Sequence, residues 1–136
     1  AVRIIKFDAG HRVVNHESKC RTFHGHEYKA EVFAEADGLD SLGRVVDFSV
    51  LKQIVGGWID EQLDHNMILF CDDPDLHLIK QCSGLKSPYV VPFNPTAENL
   101  AAHILEIGNR LLKGSGVLIS KIKLWETSNC YVEVTK

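Results

Sequence analysis

The strict alternation of side chains between His24 and Ala36 constrains the fold of this chain more than any other feature. Every second position in most of this stretch is charged, at Glu27, Lys29, Glu31 and Glu35. The intervening positions are His24, His26, Tyr28, Ala30, Val32, Ala34 and Ala36. Because successive residues of a strand point to opposite faces, the pattern predicts a β-strand with one solvated face and one face toward a core.

A second strand is predicted from Arg3 to His11, and its inward row also ends in a histidine. The residues that share this row are Ile5, Phe7, Ala9 and His11. If the two strands pair antiparallel, His11 lies beside His24 and His26, and three imidazoles converge on one inward face.

Three imidazoles in this arrangement indicate a metal site. Neutral histidines suit Zn²⁺, and three of them leave a fourth position open for water or a substrate oxygen. A single histidine on a strand is more often structural. The prediction of a Zn²⁺ site therefore depends on His11, His24 and His26 acting together.

Cys20 lies in a polar loop four residues before His24, and three interpretations stay open for it. Most cysteines are small buried hydrophobic residues. As a fourth zinc ligand, Cys20 would make the site closed and structural. Beside an open zinc site, its thiolate would act as a base or a nucleophile. The spacing alone does not choose among these roles.

Two carboxylates are further candidates for chemistry. Asp64-His65 is either a solvated helix end or a carboxylate that tunes an imidazole for proton transfer. Glu126 falls on the same face of a predicted strand as Leu118, Ser120, Ile122 and Leu124, because these residues alternate along the chain. A carboxylate at the end of an apolar row needs a partner. That partner is either Arg or Lys, or the amide-and-amino edge of a bound heterocycle.

The remaining elements follow from periodicity and capping signals. A helix is predicted to begin after Asp47 or Ser49, and either residue can cap it. The helix contains Gly56-Gly57, which close packing against a second helix would explain. A second helix is predicted to begin with Asn94 as its cap and to close at Gly114. The other predicted elements are a helical turn at 76–80 and strands at 89–91, 117–125 and 130–135. We expect one α+β domain over residues 1–136.

The composition narrows the classes of function. The 136 residues carry a net charge of −3, which argues against a nucleic-acid surface but not against a small anionic substrate bound by local Lys and Arg. The apolar run at 2–5 is too short for a signal peptide or a membrane span. The four cysteines are scattered without a framework spacing. A reduced, cytoplasmic protein is the expectation.

Taken together, these motifs resemble the 6-pyruvoyltetrahydropterin synthase/6-carboxytetrahydropterin synthase family over nearly the whole chain. The matching segments, in order, are 7–11, Cys20 with His24-Gly25-His26, 43–48, 63–65, 94–100 and 125–127. The resemblance implies a tunnelling fold: a four-stranded antiparallel sheet with two helices on one face, assembled into trimers or hexamers with active sites between subunits.

The resemblance also implies roles for the candidate residues. His11, His24 and His26 correspond to the zinc ligands, and Cys20 to the general base. Asp64 and His65 correspond to an acid/base pair that reaches the site from an adjacent subunit. Glu126 corresponds to the residue that anchors the pterin ring, and Thr96 and Glu98 line the pterin pocket. Arg12, Lys19 and Arg21 are near enough in sequence to meet a triphosphate.

The substrate that the resemblance implies is 7,8-dihydroneopterin triphosphate. The three-residue gap between Cys20 and His24, together with Asp47-Phe48, resembles the bacterial 6-carboxytetrahydropterin synthases of the queuosine pathway. The expected products are then 6-carboxytetrahydropterin, acetaldehyde and triphosphate. A pyruvoyl synthase, a pterin aldolase and a non-catalytic zinc- or pterin-binding protein of the same fold are the alternatives. The folate-linked branch, which replaces the cysteine, is disfavoured by Cys20.

Overall fold

A six-stranded mixed sheet forms the centre of the computed structural model, which describes residues 1–82 and 84–136. The strand order across the sheet is β4-β3-β1-β2-β5-β6. The strands are β1 (Val2–His11), β2 (His24–Glu35), β3 (Asn66–Phe70), β4 (Tyr89–Val91), β5 (Leu118–Trp125) and β6 (Tyr131–Thr135). The α+β fold class is confirmed, and the strands predicted at both ends of the chain lie within one residue of their expected bounds.

The sheet has six strands, two more than the predicted four-stranded antiparallel sheet. Strands β1, β2, β5 and β6 do form antiparallel pairs in the order β1-β2-β5-β6. Segment 66–93, which includes the undescribed Ser83, adds β3 and β4. Strand β3 pairs parallel with the end of β1, with Asn66 opposite Ala9, and β4 pairs parallel with β3. A five-residue apolar run gives no sign of its strand partner, so the sequence did not reveal this extension.

The alternation of inward and outward side chains expected along β5 is interrupted by a bulge. Phe33 of β2 pairs with Lys121, but Ala34 pairs with Ile119, so Ser120 is an extra residue in β5. This bulge moves Ile119 inward, where it is fully buried, and leaves Leu118 36% exposed. The predicted inward row of Leu118 and Ser120 is therefore wrong, although Ile122 and Leu124 are buried as expected.

Two long helical segments cover the inward face of the sheet. The first consists of α1 (Phe48–Leu51), a π-helical stretch (Lys52–Gly56) and α2 (Gly57–Gln62). A short helix α3 (Leu76–Gln81) precedes β4, and α4 (Ala97–Leu111) precedes β5. The buried row of β1 and β2 joins the buried faces of both long segments in one hydrophobic core. No helix among the described residues is long and apolar enough to cross a membrane.

The cap of α1 is one of the two residues predicted from the sequence, whereas the cap of α4 is not the predicted residue. Asp47 caps α1, since its carboxylate accepts a hydrogen bond from the Ser49 amide at 2.8 Å. The predicted cap of α4 at Asn94 is wrong. Thr96 is the cap residue, and its hydroxyl oxygen accepts a hydrogen bond from the Asn99 amide. Asn94 instead uses both ends of its side-chain amide on the backbone of Val14.

The close helix contact expected at Gly56-Gly57 lies elsewhere. A Cβ atom added to Gly57 would meet nothing within 4 Å, and one added to Gly56 would make an ordinary contact with Ile5 of β1. At Gly108 of α4, an added Cβ would lie 2.4 Å from Ile119 and 3.7 Å from Val55 of the first helical segment. Gly108 is therefore the residue that lets α4 approach both its sheet and its neighbouring helix.

Candidate active site

Three histidines converge at the end of the β1–β2 ladder. His11 is directly opposite His24 in the antiparallel register, and His26 is two residues further along the same face of β2. The centroids of the imidazole rings are 4.5 Å apart for His11 and His24, 5.1 Å for His11 and His26, and 4.9 Å for His24 and His26. The convergence predicted from the alternation is thus present.

Backbone carbonyls fix the orientation of two of these rings. Nδ1 of His11 lies 2.8 Å from the carbonyl oxygen of Pro95, and Nδ1 of His24 lies 2.7 Å from that of Thr22. A carbonyl only accepts, so each Nδ1 carries the proton and each Nε2 carries a lone pair, which in His11 lies 3.3 Å from the hydroxyl of Tyr28. A partner on the second ring nitrogen is also how proteins hold metal-binding imidazoles.

Burial favours the neutral imidazole at His11 and His26. His11 is 1% exposed, and burial lowers its pKa to about 4 even though the Pro95 carbonyl favours the charged form. Burial also lowers the pKa of His26, against the attraction of Glu126. Neutral rings are the form that binds metal.

The donor set of this site fits Zn²⁺. One ligand atom from each of the three histidines lies within 4.8 Å of the others, and in two of the rings the hydrogen bond of Nδ1 leaves Nε2 unprotonated. Three imidazole donors with room for a further ligand are typical of catalytic zinc. Cys20 is not part of this group of ligand atoms, which disfavours the closed four-ligand site. The binding of zinc itself stays a prediction.

Glu126 stands beside the three histidines at the end of β5. Its Oε1 atom is 3.7 Å from Nε2 of His11 and 3.9 Å from Nε2 of His26. Of the described Arg and Lys side chains, none forms an ion pair with Glu126. The alternative interpretation of this carboxylate as a simple partner of a basic residue therefore has no support, and its side chain stays 29% exposed to the cleft in front of it.

A cleft of about 300 Å³ brings most of the predicted site residues together. Cys20, half-buried, forms part of its wall, and the carbonyl of Cys20 accepts a hydrogen bond from the amide of Val13 at 2.8 Å. Thr96 and Glu98 lie at the start of α4 on the same cleft. The lining is completed by His11, Val13, His16, His24, Ala97, Glu126, Cys130, Tyr131 and Val132.

His65 lines a different cleft, of about 470 Å³, and Asp64 lines another one, of about 400 Å³. Asp64 accepts hydrogen bonds from the amide of Asp8 at 2.8 Å and from Nδ1 of His65 at 2.7 Å. Burial alone would raise the pKa of Asp64, but these hydrogen bonds lower it. His65 has a φ of 52°, an unusual conformation for a residue other than glycine. Its ring bonds Asp64 through Nδ1, and no described side chain forms a hydrogen bond with its Nε2. The chain does not bring this pair into the Cys20 cleft.

Comparison with known proteins decides the family. The family model described as 6-pyruvoyl tetrahydropterin synthase matches residues 2–136. The chain belongs to this family. A 6-carboxy-5,6,7,8-tetrahydropterin synthase from Rickettsia felis is 46% identical to it over 97% of this chain and 96% of that protein.

Solved structures agree with the family assignment. The crystal structure of an uncharacterized protein from Wolinella succinogenes has a TM-score of 0.83 and 28% identity, covering 100% of this chain and 97% of the other. The 6-pyruvoyltetrahydropterin synthase of Plasmodium vivax has a TM-score of 0.71 at 19% identity, covering 100% of this chain and 97% of that one, which shows the same fold. This tetrahydropterin synthase family enzyme thus has the tunnelling-type fold that the motifs predicted.

Several residues that shape the site of this tetrahydropterin synthase family member carry no clear signal in the sequence. His16 and Cys130 line the Cys20 cleft, and Asn94 holds the loop at Val14. Tyr28 is fully buried with its hydroxyl 3.3 Å from Nε2 of His11. Of these, Tyr28 was detectable, because it follows His24 and His26 in the same inward row.

Proposed function

We propose that this protein is a zinc-dependent lyase that converts 7,8-dihydroneopterin triphosphate to 6-carboxytetrahydropterin, with uptake of water and release of acetaldehyde and triphosphate. The observation that carries the proposal is the convergence of His11, His24 and His26 beside Glu126, at the edge of a cleft that Cys20 also lines. The carboxy product is supported by the name of the Rickettsia felis relative, at 46% identity. Such a reaction belongs to the queuosine pathway, and we place the enzyme in the cytoplasm.

The residues at this site have separate roles in the proposed reaction. Zn²⁺ held by His11, His24 and His26 would supply Lewis acidity toward the oxygens of the substrate side chain. Cys20 removes a proton from a carbon of that side chain. Glu126 accepts two parallel hydrogen bonds from the ring N–H and amino groups of the pterin, a pairing that fixes the ring in one orientation.

Thr96 and Glu98 border the pterin from the start of α4. Both residues line the same cleft as Cys20 and Glu126. Asp64 and His65 act as the second acid/base pair, supplied by a neighbouring subunit, because neither of them lines the Cys20 cleft of its own chain. We therefore propose a homotrimer or homohexamer with active sites between subunits.

A 6-pyruvoyltetrahydropterin synthase is the second candidate, because the matching family model carries that description. It would eliminate triphosphate from the same substrate and retain all three side-chain carbons. The two reactions use the same zinc ligands and base, and they differ in whether a carbon–carbon bond is cleaved.

Product analysis by mass spectrometry distinguishes these functions. Zinc-loaded protein is incubated with 7,8-dihydroneopterin triphosphate, and the pterin and aldehyde products are identified. Carboxytetrahydropterin together with acetaldehyde is the expected result. Pyruvoyltetrahydropterin alone would assign the second candidate, and no turnover with zinc still bound would favour a non-catalytic binding protein.

The substitution Cys20→Ala tests the role of the base. Loss of a positioned general base lowers kcat by roughly 100-fold or more, while the zinc content stays at the wild-type level because Cys20 is not among the predicted ligands. The control is Cys71→Ala, since Cys71 is an exposed thiol that lines none of the three clefts. Loss of zinc in the Cys20 variant would instead identify Cys20 as a ligand.

A further inference from the structure

Tyr28 is a fully buried residue whose hydroxyl group lies beside the three histidines. It follows His24 and His26 in the inward row of β2. Its ring stacks on that of Phe7, the residue opposite it in β1, with the ring centroids 5.1 Å apart and the planes inclined by 15°. Packing therefore fixes the position of the tyrosine ring, and only the hydroxyl hydrogen can turn.

The hydroxyl of Tyr28 has one weak hydrogen-bond acceptor. Its oxygen lies 3.3 Å from Nε2 and 3.4 Å from Nδ1 of His11, and the described residues offer it no other hydrogen bond. Nδ1 of His11 carries a proton for the carbonyl of Pro95, so only the lone pair on Nε2 can accept. Because the two distances are nearly equal, the hydroxyl oxygen lies to the side of this lone pair rather than on its axis. The contact is also long for a hydrogen bond.

A metal ion bound by His11 would remove even this acceptor. The lone pair on Nε2 is the one that such an ion would use, since Nδ1 donates its proton to Pro95. The phenol of Tyr28 is protonated at neutral pH and remains a hydrogen-bond donor. Because a buried donor without an acceptor is costly, the hydroxyl would need a new partner in the metal-bound protein.

Glu126 is the acceptor best placed to become that partner. Strands β2 and β5 are antiparallel, with Lys29 opposite Trp125, so the next residues along this register are Tyr28 and Glu126. Oε1 of Glu126 lies 3.7 Å from Nε2 of His11, the same atom that the tyrosine hydroxyl approaches. Among the described residues, none donates a hydrogen bond to this carboxylate. The carboxylate thus has accepting capacity to spare beside a donor that needs it.

We propose that Tyr28 couples metal binding to pterin binding, by donating a hydrogen bond to Glu126 when the three histidines hold a metal ion. This inference rests on the proposed function, which assigns the metal to the histidines and the pterin ring to Glu126. The hydrogen bond orients the carboxylate that pairs with the pterin. Tyr28 lines none of the three clefts, so it is a positioning residue that acts through Glu126.

The test measures the affinity of 6-methylpterin, which has the ring edge that pairs with Glu126 but no side-chain oxygen that could bind the metal. Fluorescence titration gives its Kd for zinc-depleted and zinc-loaded protein, in wild type, Tyr28→Phe and Tyr89→Phe, and the zinc content of each sample is measured in parallel. Tyr89→Phe is the matched control. It also removes a tyrosine hydroxyl that contacts a histidine, His103 at 2.8 Å, but Tyr89 lines none of the three clefts.

In wild type we expect zinc to strengthen the binding of 6-methylpterin by about 10-fold, the usual value of a hydrogen bond to a charged group. This gain should be lost in Tyr28→Phe and kept in Tyr89→Phe. In zinc-depleted protein, wild type and Tyr28→Phe should agree within about 2-fold, since His11 then remains the acceptor of the Tyr28 hydroxyl. Because coupling is reciprocal, saturating 6-methylpterin should strengthen zinc binding by the same factor in wild type but not in Tyr28→Phe.

Three results would overturn the inference and leave the proposed function intact. One is a wild-type affinity for 6-methylpterin that zinc does not change, a measurement that needs no variant. Another is an equal zinc effect in wild type and Tyr28→Phe. The third is an equal loss of affinity in Tyr28→Phe with and without zinc, which would show that the hydroxyl has only a structural role. If wild type did not bind zinc, or did not bind 6-methylpterin in either state, the proposed function itself would fail, and the coupling with it.

Discussion

His103 shows how a single residue ties separate elements together away from the active site. Its Nε2 atom is 2.8 Å from the hydroxyl of Tyr89 in β4, and its ring packs against Trp58 and Phe93. Burial lowers the pKa of His103, with Glu106 opposing and Arg110 adding to this shift. The neutral ring is therefore the form that the fold stabilises.

This environment predicts a pH-dependent contribution to stability. Because the pKa of His103 is lower in the folded state than the usual 6.5, the unfolded chain binds the proton more readily. The contribution is full above pH 6.5 and is lost as the pH falls toward the folded pKa. In urea unfolding, the advantage of wild type over His103→Gln should therefore shrink as the pH is lowered from 7.5 to 5.

His77→Gln serves as the control for this measurement, because His77 is exposed on α3. The other histidines titrate equally in all three proteins, so their effects cancel in the differences. Parallel pH profiles for wild type and His103→Gln would show that His103 carries no such contribution.

At the scale of single residues, the sequence predicted those site residues whose positions follow from the alternation of side chains along a strand. His24 and His26 share a strand face by parity, and His11 joins them through one antiparallel register. Asn94 was wrongly assigned as the cap, since Asn and Thr are both good helix caps and Asn94 and Thr96 are only two positions apart. Its actual role, holding Val14, joins residues 80 positions apart, and no local pattern contains such a contact.

At the scale of secondary-structure elements, two helical glycines make opposite contributions. Gly57 begins α2 with φ −61° and ψ −41°, is exposed, and has free space where a Cβ would lie. Gly108 is buried in α4, where a Cβ would lie 2.4 Å from Ile119. The first is replaceable without strain, while the second is needed for packing.

The matched substitutions Gly57→Ala and Gly108→Ala test this difference. Gly57→Ala should raise the free energy of unfolding by about 0.5–1 kcal/mol, because alanine restricts the unfolded chain and favours the helix. Gly108→Ala should lower it by about 1–3 kcal/mol, because the added methyl group overfills the contact between α4 and β5. Urea midpoints at constant m-value measure both effects, and equal shifts of the same sign would contradict the packing argument.

The elements that the sequence predicted well are those with strong periodicity, β1, β2 and α4. The parallel pairs β1–β3 and β3–β4 were not predicted, since the run at 66–70 is short and its partner in β1 lies more than 50 residues earlier. The π-helical stretch Lys52–Gly56 was also not predicted. One widened turn changes the spacing of apolar residues too little to be distinguished from that of an α-helix. Local sequence thus gave the type of most elements but not how they pair.

At the scale of the whole molecule, the candidate acid/base residues lie on separate clefts of one chain. Cys20 lines one cleft, His65 lines a second and Asp64 a third. The outer strands β4 and β6 also each have one edge without a strand partner within the described part of the chain. Both features favour an assembly in which neighbouring copies cover the sheet edges and complete each active site.

The family and its fold were predicted from the ordered motifs, while the assembly stays a prediction because it depends on surfaces between copies. Mixing two inactive variants tests it. Cys20→Ala lacks the base and His65→Ala lacks the acid/base partner, so each alone should show little turnover. After joint unfolding and refolding at equal concentrations, about a quarter of the sites would combine an intact Cys20 with an intact His65 from a neighbour.

Recovery of about a quarter of wild-type activity in the mixture is therefore the expected result, with each variant refolded alone as the control. The mixing distinguishes shared sites from self-contained ones, because a site built from one chain would always keep the defect of that chain. If the refolded mixture contains mixed oligomers but stays as inactive as its components, Cys20 and His65 do not act together across a subunit interface. Joint action of Cys20 and His65 would then require a rearrangement within one chain.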